Sequence, residues 1–414
     1  MNSVKNLLLA PISNLNKKLF NLNLKSLNST ERRFFLNSIL KNKYSPIFFE
    51  YLIENNLEKS FYSSELKLLR NQVERYKIQN LEIVKEVLFL NEIFKKHKLN
   101  PIYLKGVSLM NEFSDISTRP SYDIDILFSE KQIFKAYKIL KENGYKHYRV
   151  LEKSDKELKK YIKNHHDLPE LCRETNIMVE LHYRVTSPQD FSECPITNHI
   201  LKNKSRFMFF GEELFRPNIN DMIIHLILHF SIHNFFEQNP LRLFFDINQL
   251  EKNYKVDWKE ICNAYNNEKV QKAILLTLSI INHDFELTNN FYQLKKNYNK
   301  KMPSKELILF SHNKVFFSKS DNKIPFKTIR KMSYSRGNFG LFVEIIRRLY
   351  ISKDDVVYNN KLVEDNFFYS FLFTVKSFYK RIVLYFTSAI KLVFRKGSVY
   401  NDYVYIKKIQ KWID

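Results

Sequence analysis

The stretch 122–128 constrains the fold of this chain more than any other part of its sequence, because its side chains alternate in character. One alternating set is apolar and comprises Tyr122, Ile124, Ile126 and Phe128. Asp123 and Asp125 belong to the other set. Successive side chains of a β-strand point to opposite faces, so this pattern predicts a strand with two carboxylates on one face and a buried set on the other.

A second alternating stretch, 177–185, places Glu180 and His182 together on one face. It follows a first strand-like stretch, 168–173, and a polar turn at 174–176. Two such stretches joined by a short polar turn are typical of a β-hairpin. The sequence therefore predicts a third carboxylate, Glu180, on a strand of the same small sheet.

A glycine turn precedes the first acidic strand. Residues 102–104 form a short apolar run that predicts a strand, and 107–113 has the pattern of a short helix. Gly106 lies between them and is one of only 6 glycines in the chain. Glycine in a strand-to-helix turn lets backbone amides approach a phosphate, and the helix N-terminus favours negative charge. Gly106 equally fits a tight turn without a ligand.

Carboxylates at positions i and i+2 of a strand lie about 6.5–7 Å apart along the backbone and point the same way. Asp123 and Asp125 have this spacing, which lets both side chains reach one or two hard divalent cations. Such cations bridge phosphate oxygens and neutralise charge that develops during phosphoryl displacement. An isolated Asp-x-Asp also fits a solvated strand face.

These motifs together resemble those of the uncharacterised bacterial nucleotidyltransferase family within the polymerase-β superfamily. The first set is Tyr103-Leu104-Lys105-Gly106, Arg119 and Asp123-Ile124-Asp125-Ile126-Leu127. The downstream set is His166, Val179-Glu180-Leu181-His182, His225-Leu226 with His229, Leu241-Arg242, Asp246 and Asp257-Trp258. The resemblance covers roughly residues 60–290. It implies an α+β fold with a polymerase-β-like nucleotidyltransferase core, a small mixed sheet with helices, embedded in mostly helical flanking segments.

The resemblance also implies the chemistry. The expected reaction moves a nucleoside monophosphate from a nucleoside triphosphate to an acceptor hydroxyl, with Mg²⁺ or Mn²⁺ as the cofactor. Asp123, Asp125 and Glu180 are the implied catalytic residues and metal ligands. The implied nucleotide-binding residues are Lys105, Gly106, Ser108, Arg119 and His182. The superfamily usually has adjacent Gly and Ser at the phosphate turn, whereas Val107 separates Gly106 from Ser108 here.

Several of these residues have alternative interpretations. Lys105 fits a surface lysine at the end of a strand, Arg119 fits an ion pair with Asp115, and Glu180 fits a pair with Arg184. A further three, His225, His229 and His233, recur four residues apart on one predicted helix face. That spacing fits metal ligands. No acidic third ligand stands at the spacing of a metalloprotease, so the preferred interpretation is that these histidines pack or form hydrogen bonds.

Elsewhere the apolar spacing predicts helices over 64–94, 130–142 and 241–250, and another from about residue 220 with Asp221 as its cap. The predicted organisation has four parts. They are an N-terminal helical region 1–98, a transferase core 99–215, a helical domain 216–300 and a basic, aromatic-rich helical region 301–414.

The charge of the chain is +23, which favours polyanionic partners. Residues 301–414 hold 22 Lys and Arg against 9 Asp and Glu, a net +13. Within them, 367–394 fits a basic amphipathic helix with aromatic residues, so this part is expected to contact an anionic partner or surface. A solvated lysine face over an aromatic core is the alternative.

Only 3 cysteines are present, and their spacing fits neither zinc sites nor a disulfide framework. With no evident signal peptide and no transmembrane segment, a cytoplasmic location is expected. The acceptor is unknown: a small molecule, RNA or a protein all fit, and modification of transfer RNA or a protein side chain is one variant. The alternative function is a catalytically degenerate transferase fold acting as a nucleic-acid-binding or scaffold protein. Carboxylates more than about 8–10 Å apart would favour that alternative.

Overall fold

A computed structural model describes most of the chain, and its contacts divide the chain into two compact units. The described residues are 2–13, 15–148, 150, 152–188, 190, 191, 193, 195–236, 240–265, 267–283, 291–317, 375, 376, 378–384 and 397–413. The first unit comprises Met1–Lys146 and Leu158–Met302, and the second His147–Glu157 and Pro303–Asp414. The four-part division predicted from the sequence remains a proposal.

The described residues contain a mixed sheet of seven strands, which confirms the predicted α+β class. The strands are β1 Ile102–Tyr103, β2 Asp123–Leu127, β3 Lys146–His147, β4 Leu171–Cys172, β5 Met178–His182, β6 Ser205–Phe209 and β7 Glu212–Arg216. Their order in the sheet is β3-β4-β5-β2-β1-β7-β6. The β2–β5 and β1–β7 pairs are parallel, whereas β1–β2, β4–β5 and β6–β7 are antiparallel. The two strands predicted to carry the acidic residues are therefore direct neighbours.

Along the chain, helices precede these strands, lie between them and follow them. Those before the strands are α1 Asn2–Ser13, α2 Lys17–Lys25, α3 Ser29–Lys41, α4 Ser45–Glu54 and α5 Ser63–Lys96. Those between strands are α6 Lys105–Leu109, α7 Glu130–Glu142, α8 Asp155–Tyr161 and α9 Pro195–Lys202. Those after the strands are α10 Ile219–Leu228, α11 Pro240–Asn253, α12 Trp258–Asn263, α13 Glu268–Ile281, α14 Phe291–Asn297, α15 Lys305–Phe317 and α16 Gly397–Ile413.

The apolar face of the central strands packs against α5 and α7. Ile124 and Ile126 of β2 and Val179 and Leu181 of β5 are fully buried in one core cluster with side chains of these two helices. Burying each such side chain contributes on the order of 1.5–3 kcal/mol to folding. This contribution determines which face of each strand points to the core. The acidic side chains of β2 and β5 consequently lie on the opposite face, away from this core.

Two helix boundaries differ from the prediction. The helix after β1 begins at Lys105 rather than Val107, and a 3₁₀ turn, Met110–Glu112, follows it. The N-cap of α10 is Asn218, whose side-chain oxygen accepts the backbone N–H of Asp221 at 3.0 Å. Asp221 itself is buried and accepts a hydrogen bond from Tyr265, so it serves a side-chain network instead of capping the helix.

The β6–β7 hairpin was not predicted. Its turn residues, Phe210 and Gly211, both have positive φ, at 46° and 90°. Two consecutive residues with positive φ form the turn whose twist matches a two-residue hairpin. Asn or Asp usually precedes the glycine in such turns, so Phe210 concealed the signal that Gly211 gives.

The second unit contains α15 and α16. Lys408 pairs with Glu306 at 2.8 Å, and Lys314 pairs with Asp402. Tyr405 is fully buried and contacts Phe310. Of the predicted amphipathic segment 367–394, only 375, 376 and 378–384 are described, so that prediction lies largely outside the described residues. Within the described part of the chain, no helix has both the length and the apolar content needed to cross a bilayer.

Candidate active site

Parallel pairing of β2 with β5 brings three potential metal ligands together. Asp125 is in register with Glu180, and Leu127 with His182. One ligand atom from each of Asp125, Glu180 and His182 lies within 4.8 Å of the others. Because all three side chains stand on the face opposite the apolar core, the strand alternation seen in the sequence is what assembles this group.

Asp125 is the centre of the group. Its Oδ1 atom accepts a hydrogen bond from Lys105 Nζ at 2.7 Å and lies 2.8 Å from His182 Nε2. His182 Nε2 is also 3.4 Å from Glu180 Oε2. The second oxygen of Asp125, Oδ2, is buried and has no hydrogen-bond partner among the described residues. A buried carboxylate oxygen without a donor is rare, and it suits a ligand that the protein itself does not supply.

The charges of these groups are coupled. Burial favours neutral Asp125, but Lys105 and His182 outweigh it and hold the pKa of this carboxyl well below its usual range. Burial also disfavours charged His182, yet its hydrogen bonds to Asp125 and Glu180 raise its pKa to about 9. The pKa of Lys105 is raised despite its burial, because Asp125, Glu180 and Asp123 all attract its ammonium group. Lys105 thus serves as a counter-ion to a cluster of carboxylates.

Asp123 lies at the edge of this cluster, two residues before Asp125 on β2. Burial, together with repulsion from Asp125 and Glu180, raises its pKa to about 6. It is not one of the three residues whose ligand atoms meet within 4.8 Å. The two aspartates also differ in exposure: Asp123 is half-buried, whereas Asp125 is 1% exposed. The geometry therefore adds His182 to the predicted ligand set and places Asp123 beside it.

The turn between β1 and α6 approaches the cluster closely. Lys105 has a φ of 40°, a left-handed conformation that costs a non-glycine residue on the order of 1 kcal/mol. A Cβ atom on Gly106 would overlap Ser121 Oγ and lie 3.0 Å from Ser121 Cβ. Arg119 Nη1 would be 3.5 Å from the same position. Only glycine fits here, because the segment leading into β2 passes directly over the turn.

We expect Gly106→Ala to destabilise the protein by about 1–3 kcal/mol and to weaken nucleotide binding, because the added methyl group displaces Ser121 and the turn. Urea unfolding and nucleotide titration check this. Adding Ser121→Ala to Gly106→Ala removes the overlapping Oγ and should restore part of the lost stability. Ser121→Ala alone is the control, and equal stability of Gly106→Ala and the native protein would contradict the close approach.

One comparison with known proteins identifies a family for this chain. A family model described as an uncharacterised nucleotidyltransferase matches residues 28–286, more than half of the chain. The chain belongs to this family. Membership implies nucleotidyltransferase activity in general, with a nucleotide as substrate. No curated protein and no solved structure matches the chain.

A divalent metal fits the site of this nucleotidyltransferase. Two carboxylates and an imidazole form the donor set, and one carboxylate oxygen is buried without a partner among the described residues. Carboxylate oxygens suit both Mg²⁺ and Mn²⁺, whereas imidazole nitrogen is more typical of transition-metal sites. Direct coordination by His182 requires loss of the proton that its Nε2 atom shares with Asp125, and it would favour Mn²⁺ of the two predicted ions.

Arg119 and Ser108 each form hydrogen bonds within the protein that the sequence did not predict. Arg119 is buried, and its Nε and Nη2 atoms each donate to Asp246 at 2.9 Å. Its Nη1 atom has no hydrogen-bond partner among the described residues and is the atom near Gly106. Ser108 is fully buried and donates to the carbonyl of Lys105 at 2.9 Å. The Ser108 hydroxyl therefore has an acceptor within the protein, and its contact with phosphate stays a prediction.

His225 of α10, with His229 and His233 of the π-helical turn His229–His233 that follows it, belongs to the surroundings of the site rather than to a second one. The rings of His229 and His233 stack, with their centroids 5.3 Å apart. The ring centroid of His166 lies 5.4 Å from that of His233 and 5.3 Å from that of His182. Burial lowers the pKa of His225 to about 3 and that of His229 well below its usual value. Both rings are therefore neutral at pH 7. In the described residues, the three helical histidines are not part of a group with metal-binding spacing.

Two cations near Asp123 were not predicted as functional residues. Arg242 of α11 was noted only as part of a family motif, and Lys43 lies in the turn between α3 and α4. Electrostatic attraction connects both with Asp123. Lys43 is 80 positions from Asp123 in the chain and carries no local motif, so no sequence signal could have identified it.

Proposed function

We propose that this protein transfers a nucleoside monophosphate from a nucleoside triphosphate to an acceptor hydroxyl and releases pyrophosphate. The observation that carries the proposal is the grouping of Asp125, Glu180 and His182 within 4.8 Å, in a chain of a nucleotidyltransferase family. Asp123 and Lys105 complete the charge pattern of the site.

In the proposed reaction, the acceptor oxygen attacks the α-phosphorus, and the bond from that phosphorus to the bridging oxygen breaks. Pyrophosphate leaves with the electron pair, and the carboxylate of Glu180 takes the proton of the attacking hydroxyl. The side chain of Glu180 is 18% exposed, which leaves room for an acceptor. Lys105 and His182 hold Asp125 in one orientation through its Oδ1 atom.

Asp125 and Glu180, with Asp123 beside them, are the proposed ligands of Mg²⁺ or Mn²⁺. His182 would join them on losing the proton that it shares with Asp125. When bound, such an ion neutralises phosphate charge and polarises the reacting phosphorus. Gly106 and the free Nη1 atom of Arg119 are the proposed contacts on the phosphate side. Lys105 balances the carboxylates and thereby lowers the repulsion that a triphosphate meets on approach.

Under the alternative hypothesis, a degenerate transferase fold that only binds nucleic acid, the carboxylates of the site are expected to lie far apart. The ligand atoms of Asp125 and Glu180 lie within 4.8 Å, which favours the enzyme. The acceptor is not specified by this geometry, and the proposed anionic contact of residues 301–414 applies equally to RNA or to a membrane surface.

Supplying each of the four labelled nucleoside triphosphates with cell RNA, cell protein or a small-molecule extract tests the proposal. We expect label to enter one fraction, with pyrophosphate released in step, and we expect the transfer to stop when a chelator removes divalent metal. Tight RNA binding with neither label transfer nor pyrophosphate release for any nucleotide would support the alternative instead.

A further inference from the structure

A group of three cations, Lys43, Arg119 and Arg242, lies near Asp123. Lys43 Nζ lies 3.3 Å from the ring centroid of Tyr122, the residue before Asp123. Arg119 is held by Asp246 of α11. Arg242 precedes Asp246 by four residues on the same helix and therefore shares its face. Three segments far apart in the sequence thus place Lys43, Arg119 and Arg242 near one acidic residue of the active site.

The anions near this cation group, Asp123 and Asp246, neutralise it only in part. Asp246 neutralises Arg119, but neither Lys43 nor Arg242 forms an ion pair with any residue that the structure describes. Arg242 Nε and Arg119 Nη1 are buried without hydrogen-bond partners in the same described set. Buried donors without acceptors destabilise a protein unless a ligand satisfies them, so these two donors favour an anionic ligand at this position.

The electrostatic cost of the arrangement points the same way. Burial, with repulsion from Arg242, lowers the pKa of Lys43 to about 8. Burial, with repulsion from Arg119, lowers the pKa of Arg242 to about 10. Repelling, partly desolvated cations are typical of sites that are organised for an anionic ligand.

The position of the group identifies the anion. It adjoins Asp123 on one side, and Arg119 Nη1 extends to the Gly106 turn on the other. A triphosphate whose reacting phosphate is at the carboxylate cluster carries two further phosphates that need cations nearby. We propose that Lys43 and Arg242, together with Arg119, bind the β- and γ-phosphates, the part that leaves as pyrophosphate. This inference rests on the proposed function and assigns two residues to it.

Binding of inorganic tripolyphosphate with Mg²⁺ to the full-length protein, measured by calorimetry, tests the assignment. We expect Lys43→Met and Arg242→Met each to weaken binding by roughly 10- to 100-fold, the effect of losing one charge-assisted hydrogen bond. Lys41→Met is the matched control, because Lys41 is exposed two residues earlier and should bind as the native protein does. An excess of single-stranded RNA should not displace tripolyphosphate.

Thermal unfolding separates a binding role from a structural one. Both variants remove a repelled charge, so we expect their melting temperatures to equal or exceed that of the native protein. Unchanged tripolyphosphate affinity in both variants overturns the assignment, and so does weaker binding that is matched by lower thermal stability. Displacement by RNA would assign the cations to the acceptor instead. If the native protein itself binds no tripolyphosphate, the proposed function fails along with the assignment.

Discussion

Asp125→Asn is expected to reduce metal-dependent turnover of nucleoside triphosphate on the order of 10³-fold. Removing one ligand charge loses several kcal/mol of transition-state stabilisation, and each 1.36 kcal/mol corresponds to tenfold in rate. The amide keeps the shape of the side chain, so the strand pairing with Glu180 should persist. Steady-state pyrophosphate release by native and variant protein, with the folded fraction determined by circular dichroism, measures the effect.

Asp123→Asn and Asp125→Asn are expected to change the stability of the protein in different directions. The Asp123 carboxylate is repelled by Asp125 and Glu180 and destabilised by burial, so its neutralisation should leave stability equal or higher in metal-free buffer. Asp125→Asn should lower stability, because it leaves Lys105 and His182 without their counter-ion. Native-level turnover in a folded Asp125→Asn protein would exclude this carboxylate from the chemistry.

Asp246→Ala is expected to lower the free energy of unfolding by about 3–5 kcal/mol, the largest stability effect among these variants. Asp246 is 1% exposed and binds Arg119 through two hydrogen bonds. Its loss leaves the Arg119 guanidinium buried beside Arg242, a second cation. Urea unfolding in a Trp412→Phe background measures the loss, because Trp258 of the first unit is then the remaining tryptophan.

Glu82→Ala is the control for this prediction. Glu82 pairs with Lys85 at 2.6 Å, but both side chains are well exposed. An exposed pair contributes about 0–1 kcal/mol, so its removal should be nearly neutral. A loss below about 1 kcal/mol for Asp246→Ala would show that water or a ligand, rather than Asp246, stabilises Arg119.

Local periodicity explains what the sequence predicted well. Alternation along 122–128 and 177–185 sets which side chains are buried, so both strands and the shared face of Asp125 and Glu180 could be predicted without long-range information. The amphipathic stretch 130–142 likewise became a helix with the predicted ends. Parallel pairing of the two strands was not specified by these patterns, yet it determines which ligands meet.

Contacts between distant segments explain what could not be predicted. Arg119 was considered as a partner of nearby Asp115, but it pairs with Asp246, which is 127 residues away. Asp115 instead accepts hydrogen bonds from the backbone and hydroxyl of Ser117. Glu180 was considered as a partner of Arg184, which donates to the carbonyl of Phe191. A charged side chain satisfies its hydrogen bonds wherever the fold supplies a partner, and sequence spacing does not determine where that is.

Titration of Mn²⁺ into the protein, followed by electron paramagnetic resonance, tests most directly whether the Asp125 cluster is a metal site for nucleotide chemistry. With a non-hydrolysable nucleoside triphosphate present, we expect saturable Mn²⁺ binding that weakens by at least about 100-fold in Asp125→Asn. Asp257→Asn, a change of the same kind at an exposed helix cap, should bind as the native protein does. Equal Mn²⁺ binding by native, Asp125→Asn and Asp257→Asn proteins would show that the Asp125 cluster is not the metal site.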